Sequence, residues 1–261
     1  MTHILLTNDD GIQAPGLRAL LEALRPLGRL SVFAPDHNWS AAGHTKTMHK
    51  PLRVARYPFP DLEGGDVEAY TSTGAPSDCV ALALLGLLPD RPDIVVSGIN
   101  QGANLGHDVT YSGTVAAAIE AAIFGLPAVA ISLDSYESQE FGVAARVAAG
   151  VVARVQEHGL PPGTLLNVNV PPLGSDKLAG VAITRMGRRV YRDVLVERKD
   201  PRQRPYYWIG GEPPSGHLDE GTDIWAVSQG YVSITPIHLD MTAHELIPRL
   251  EAWSLREILT R

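Results

Sequence analysis

Two adjacent carboxylates, Asp9 and Asp10, interrupt the apolar start of the chain in LLTNDDGIQAPG. Neighbouring like charges repel, and a turn needs only one of them. Asp-Gly is a common turn dipeptide, so one reading of the pair is a plain turn. The other is a site for a metal ion or a phosphate. Two further polar stretches carry compatible oxygens. PDHNWSAAGHTKTMHK (35–50) holds Ser40, and SGINQGANLGHDVTYSGT (97–114) holds Asn100 and Asn104. Two carboxylates, a hydroxyl and an amide oxygen form an all-oxygen set, which suits Mg²⁺ or Mn²⁺ better than Zn²⁺. A bound dication would also cancel the repulsion within the pair.

The third stretch ends in Ser112-Gly113-Thr114, directly before an Ala-rich helical pattern. Ser or Thr there is an ordinary helix cap. Free N–H groups at a helix start also bind anions, so the same tripeptide could hold a phosphate beside a dication. No Lys follows in the frame of a phosphate-binding P-loop, and the first turn lacks G-x-G-x-x-G. His37, His44 and His49 crowd the second stretch, and His107 sits in the third. Loop histidines are mostly solvated; His44 or His107 could donate to a phosphate. Cys79, inside DCVALALL, reads as a small buried hydrophobe rather than a nucleophile.

These residues need a frame. HILLTN (3–8) reads as a buried strand. In GLRALLEALRPLG, Leu17, Leu20, Leu21 and Leu24 repeat at i, i+3, i+4, i+7, one face of a helix, with Gly28 placed to cap it. RLSVFAP (29–35) is the next strand, completing a βαβ unit that crosses over right-handedly. Helices at 76–88, 113–125 and 141–159 then alternate with strands at 93–100, 127–133 and 164–170. The pattern predicts a doubly wound, Rossmann-like α/β fold, a mostly parallel sheet between two helical layers. In such sheets ligands bind outside the carboxyl ends of the strands, where all three polar stretches lie.

The first 175 residues form this expected core. Beyond them the texture alternates and becomes basic. Residues 185–204 contain eight Lys or Arg against three Asp or Glu. A protruding antiparallel β-hairpin over about 185–215 is the expectation, followed by a strand over 222–237 and a final helix over 242–259 with Pro248 near its middle. A single domain over 1–261 is expected, with no repeats or flexible linker. The net charge of −7 argues against a partner of long nucleic acid. The single cysteine precludes an intrachain disulfide. The N-terminal residues have neither a basic region nor a long apolar run, so no membrane partner and a cytoplasmic location are expected.

The motifs coincide with those of one family. Through ILLTNDDGIQAPG, VFAPDHNWSAAGH, GAPSDCVALAL, DIVVSGINQGANLGHDVTYSGTVAAAIEA, LLNVNVP and GTDIWAVSQGYVSITPIHLD, in order along nearly the whole chain, the sequence resembles the SurE family, the stationary-phase survival protein E nucleotidases. The resemblance implies a metal-dependent phosphomonoesterase, a 5′-nucleotidase acting on nucleoside 5′- and 3′-monophosphates, with short polyphosphate a further expected substrate. It implies one divalent cation per subunit, Mg²⁺ or Mn²⁺, on Asp9, Asp10, Ser40 and Asn100. It puts the phosphate near Asn104, Ser112, Gly113 and Thr114; His44 stays a candidate from its place in the second stretch, not from the resemblance. It also implies a homodimer or homotetramer in which the C-terminal hairpin is exchanged. GAPSDCV departs from the family at Ala75, where Thr is usual, and the second stretch follows one of several family variants.

Asp9 and Asp10 are the expected catalytic residues, in metal-assisted hydrolysis with in-line attack by water. An aspartyl-phosphate route is a second enzyme hypothesis, although phosphatases of that kind place their carboxylates at D-x-D rather than side by side. A non-catalytic nucleotide or metal sensor on the same fold is the alternative from another class.

Overall fold

The computed structural model describes residues 1–59, 67–253 and 255–260. Strand β1 (His3–Thr7) is flanked by β2 (Arg29–Pro35) on one side and β5 (Ile94–Gln101) on the other, both parallel to it. Outward from β2 come β4 (Glu68–Ser72), parallel, and the short edge strand β3 (Val54–Arg56), antiparallel. Outward from β5 come β6 (Ala128–Leu133) and β7 (Thr164–Val170), both parallel. The sheet is completed by β11 (Tyr231–His238), antiparallel to β7, and β8 (Gly180–Ile183). The order β3-β4-β2-β1-β5-β6-β7-β11-β8 makes one nine-stranded, mostly parallel sheet. The chain builds outward from β1 in one direction and then returns to build in the other. The carboxyl ends of β1 and β5 therefore meet at the switch point, where open α/β sheets bind ligands.

Alternation along the strands divides the core in two. Ile4, Leu6, Val96 and Ile131 pack on one face against α1 (Pro15–Leu24) and α4 (Gly142–His158). Leu5, Phe33, Val95 and Ala130 pack on the other against α2 (Pro76–Leu82) and α3 (Gly113–Ile123). This is the expected three-layer arrangement, and near-continuous apolar strands are what two covered faces require. Leu17, Leu20, Leu21 and Leu24 are all fully buried, and Cys79 lies in the second core. Among the described residues no helix is long and apolar enough to cross a membrane.

Several elements differ from the sequence expectation. Gly28 is extended (φ 169°), not a left-handed cap; a Cβ there would lie 2.3 Å from the Thr2 carbonyl oxygen, so glycine is needed for close approach. The edge strand β3 and its neighbour β4 have no counterpart in the sequence expectation. The expected strand over 222–237 begins as helix α5 (Asp223–Ser228), because Thr222 caps it by accepting from the Trp225 N–H at 3.3 Å. Only then does β11 follow. The expected helix over 242–259 is broken into a 3₁₀ turn (His244–Leu246), the short α6 (Ile247–Glu251) and a second 3₁₀ segment (Leu255–Thr260); residue 254 lies outside the described residues. Pro248 has no N–H to donate and its ring excludes a preceding helical turn, so it starts a helix instead of sitting inside one.

The basic excursion is a two-stranded antiparallel hairpin of β9 (Arg189–Lys199) and β10 (Pro205–Gly216). Its apolar residues, including Leu195, Trp208 and Ile209, are exposed. Its root is pinned to the body by buried Asp223. One carboxylate oxygen accepts from the Gly187 N–H at 2.7 Å and the other from the Gly106 N–H at 2.8 Å.

Candidate active site

The turn after β1 is organised by Asn8, which is fully buried. Its Nδ2 donates to the Gly11 carbonyl at 2.9 Å and its Oδ1 accepts from the Gly11 N–H at 3.2 Å. Gly11 has φ +100°, which side-chain-bearing residues rarely adopt. The two residues enclosed by this clasp are Asp9 and Asp10. They point to different partners, as adjacent residues leaving a strand must.

Asp9 is buried, at 3 % exposure, against the start of α3. The Thr114 hydroxyl donates to Asp9 Oδ1. A Cβ added to Gly113 would lie 2.7 Å from the Asp9 Cβ and 2.9 Å from its Oδ2. Only a glycine allows this approach. The main chain of Asp9 also holds the second loop, its carbonyl accepting from the Trp39 N–H at 2.8 Å. Burial pushes the Asp9 carboxyl up to about 6; the hydrogen bond from Thr114 works against this, and the charge of Asp10 adds to it. Asp10 joins the other two loops. It accepts from Asn38 Nδ2 at 3.2 Å and from the Gln101 N–H at 3.3 Å. Burial raises its pKa as well, opposed by these two donors.

A cleft of about 380 Å³ opens above Asp9, and Ser40, Asn100, Asn104 and Ser112 share its lining. That volume falls in the range of roughly 300–1,000 Å³ usual for small-molecule sites. Asn100 stands near the end of β5 and donates its Nδ2 to the Gly102 carbonyl at 2.7 Å, which leaves its Oδ1 as the group for another partner. Ser40 is exposed on the second loop, just before Ala41 at φ +60°. Asn104 is buried and braced: its N–H donates to Asn169 Oδ1 and its Nδ2 to Ser132 Oγ, each at 2.8 Å. Ser112 caps α3, accepting from the Val115 N–H at 3.1 Å, so its own hydroxyl proton is not used in the cap.

The sequence candidates therefore fall into three groups. Asp9, Ser40, Asn100, Asn104 and Ser112 share the cleft. Asp10, Gly113 and Thr114 surround Asp9 from behind or beside. His44 is directed elsewhere: its Nε2 lies 2.8 Å from Glu120 Oε2, and Lys46 Nζ donates to Glu120 Oε1 at 2.9 Å. Burial alone would raise the Glu120 pKa, but His44 and Lys46 outweigh it and hold it below its usual value. This buried carboxylate on α3 anchors the loop that carries Ser40.

The donor set fits a hard divalent cation. Two partly desolvated carboxylates sit side by side, each raised by burial, and the nearby neutral groups are oxygens. Among the described residues no group of three or more His, Cys, Asp and Glu side chains is placed to hold a metal. The neutral oxygens of Ser40 and Asn100 in the same cleft suit the rest of a Mg²⁺ or Mn²⁺ shell.

The cleft also contains residues that the sequence did not single out. Asp134 and Tyr136 follow β6, a fourth strand end at the same edge of the sheet. Arg189, from the hairpin root, donates its Nε to Asp108 Oδ2 at 2.6 Å, and the Tyr191 hydroxyl donates to Asp108 Oδ1 at 2.5 Å. The rule that led to the first three loops would have found the β6 loop too. Arg189 is some eighty residues from its partner, and nothing local in the sequence marks it.

Comparison with known proteins agrees with this architecture. The family profile described as Survival protein SurE matches residues 4–193. The chain is 51% identical over 253 residues to a 5′-nucleotidase SurE of Chloroflexus aggregans, covering 96% of this chain and 98% of that one. It is 49% identical over 257 residues to a 5′-nucleotidase SurE of Symbiobacterium thermophilum, covering 98% and 99%. A crystal structure of the SurE protein from Aquifex aeolicus superposes with a TM-score of 0.81 at 41% identity, over 96% of this chain and 99% of that one.

Proposed function

The chain belongs to the Survival protein SurE family, and from that premise we propose that it is a 5′-nucleotidase whose reaction centre is the cleft above Asp9. The observation that carries the reading is the oxygen-only constellation of Asp9, Ser40 and Asn100 in one cleft, with Asp10 beside them, at the switch point of the sheet. Asp9, Asp10, Ser40 and Asn100 hold one divalent cation, Mg²⁺ or Mn²⁺. When bound, such an ion polarises a phosphoryl oxygen and lowers the pKa of water.

The chain's own residues do the rest. Thr114 fixes the Asp9 carboxylate by its hydroxyl, and Gly113 lets the helix start press against it. The Ser112 hydroxyl, unspent in its cap, donates to a phosphoryl oxygen. Asn104, locked by Asn169 and Ser132, presents a fixed amide beside it. Donors that need not reorganise stabilise charge as it develops. The same chemistry extends to nucleoside 3′-monophosphates and short polyphosphate. The hairpin, with its exposed Leu195, Trp208 and Ile209, is exchanged between subunits of a homodimer or homotetramer.

The test is phosphate release from nucleoside 5′- and 3′-monophosphates and tripolyphosphate, with Mg²⁺, Mn²⁺ or a chelator. Loss in chelator and recovery with one ion supports the reading. Nucleotide binding without turnover under every condition would make the protein a sensor instead.

A further inference from the structure

The floor of the cleft is polar and buried, with Asp9, Asn104 and Ser112 all below a tenth exposed. Its rim is different in kind. Two tyrosines, Tyr111 and Tyr136, line the same cleft and leave 61% and 81% of their surface open. A single exposed aromatic means little on a protein surface. These two are held where they stand. Tyr111 is the residue before the cap of α3; its N–H donates to the Asp108 carbonyl and its carbonyl accepts from the Gly43 N–H, both at 2.9 Å. The Tyr136 carbonyl accepts from Gln101 Nε2 at 2.7 Å, and the backbone of that same Gln101 donates to Asp10. The Tyr136 ring lies against Gly102, where a Cβ would come within 2.5 Å of it. Gly102 also has φ +117°. The main chain is thus fixed at both positions while the rings stay uncovered.

We propose that Tyr111 and Tyr136 form the nucleobase platform of this cleft, and that base stacking on their rings sets its preference for nucleotides over other phosphomonoesters. The inference rests on the nucleotidase reading above. A phosphoryl group on the polar floor directs the rest of its ester toward the rim. What the rim offers is aromatic surface, and every nucleobase has a π-face that stacks on it. Stacking is tolerant of base identity, so the platform favours nucleotides as a class without selecting one base.

The test uses Tyr111→Ala, Tyr136→Ala and the matching Tyr→Phe variants, compared on adenosine 5′-monophosphate and on ribose 5-phosphate, which has the same phosphoryl ester but no base. Each Ala variant should lower the ratio of kcat/KM for the nucleotide over the sugar phosphate by roughly 5- to 100-fold, with ribose 5-phosphate itself changed by no more than about twofold. The Phe variants should keep the wild-type ratio. Calorimetric titration with adenosine, which carries no phosphate, should show the same loss in the Ala variants and retention in the Phe variants. Equal loss on both substrates in the Ala variants, an unchanged ratio, or Phe variants behaving as Ala would each overturn the platform. Wild-type protein that hydrolyses neither substrate would refute the nucleotidase reading, and the adenosine titration would still decide the platform.

Discussion

Replacing Asp9 by Asn should remove activity and stabilise the metal-free protein. Asp9 is buried beside a second carboxylate, and its pKa rises from 3.8 to about 6. A carboxyl whose folded pKa lies above its unfolded one binds its proton more tightly in the folded state, so ionising it costs stability. The cost is absent below about pH 3.8, grows as pH rises to about 6, and is complete above that. At about 1.4 kcal/mol for each pH unit the two states differ, it amounts to roughly 3 kcal/mol. Asn has no charge and keeps an Oδ1 to accept from Thr114. In chelator at pH 8, Asp9→Asn should therefore unfold some 6–12 °C above wild type, at about 2–4 °C per kcal/mol for a chain of this size. The gain should vanish near pH 4. Adding Mn²⁺ should reverse the order, because the ion stabilises only the protein that binds it. The assays are thermal unfolding at the two pH values, with and without metal, and phosphate release. A variant no more stable than wild type at pH 8 in chelator would show that the buried Asp9 charge costs the fold nothing.

Two further substitutions test the supports of the site. In Gly113→Ala the new Cβ, 2.7 Å from the Asp9 Cβ, must move out to the roughly 3.5 Å at which carbons pack. Unfolding should shift by only about 1–3 kcal/mol, whereas phosphate release should fall on the order of 100-fold because the carboxylate is displaced by nearly an ångström; wild-type turnover would contradict the role given to Gly113. Glu120→Gln removes the charge held by His44 and Lys46 and should cost about 1.5–3 kcal/mol near neutral pH. The Glu120 pKa is depressed in the fold, so this contribution is present above about 4.5 and lost as pH falls through the lower folded value. Denaturant unfolding of both proteins should therefore converge in acid; a gap that persists there would show that the pair is not what anchors the loop.

Much of this site is local in sequence. The clasped turn at Asp9 and Asp10, the polar loop with Asn100 and Asn104, and the cap at Ser112 each follow a strand or start a helix whose periodicity is plain. The alternation of strands with helices makes the sheet parallel, and parallel strands put these loops at one edge. What sequence reading missed lies outside such runs. The β6 loop with Asp134 and Tyr136 carries no motif, although its strand-end position includes it in the same rule. Arg189 reaches the cleft only because Asp108 and Asp223 draw the hairpin root onto the third loop, and that contact is set by tertiary packing. Helix α5 was hidden by strand-forming residues, Ile224, Trp225 and Val227, that a Thr222 cap overrides. The expected helix over 242–259 breaks at Pro248, which cannot donate to a preceding turn and starts the short α6 instead.

The proposed nucleotidase depends on one divalent cation held by Asp9, Asp10, Ser40 and Asn100 at the switch point of the sheet. Anomalous diffraction from a crystal soaked in Mn²⁺ tests it most directly. A single strong peak per subunit is expected, coordinated by oxygens of those four residues and absent from the Asp9→Asn variant. A peak elsewhere on the chain, or one that survives the loss of Asp9, would contradict it.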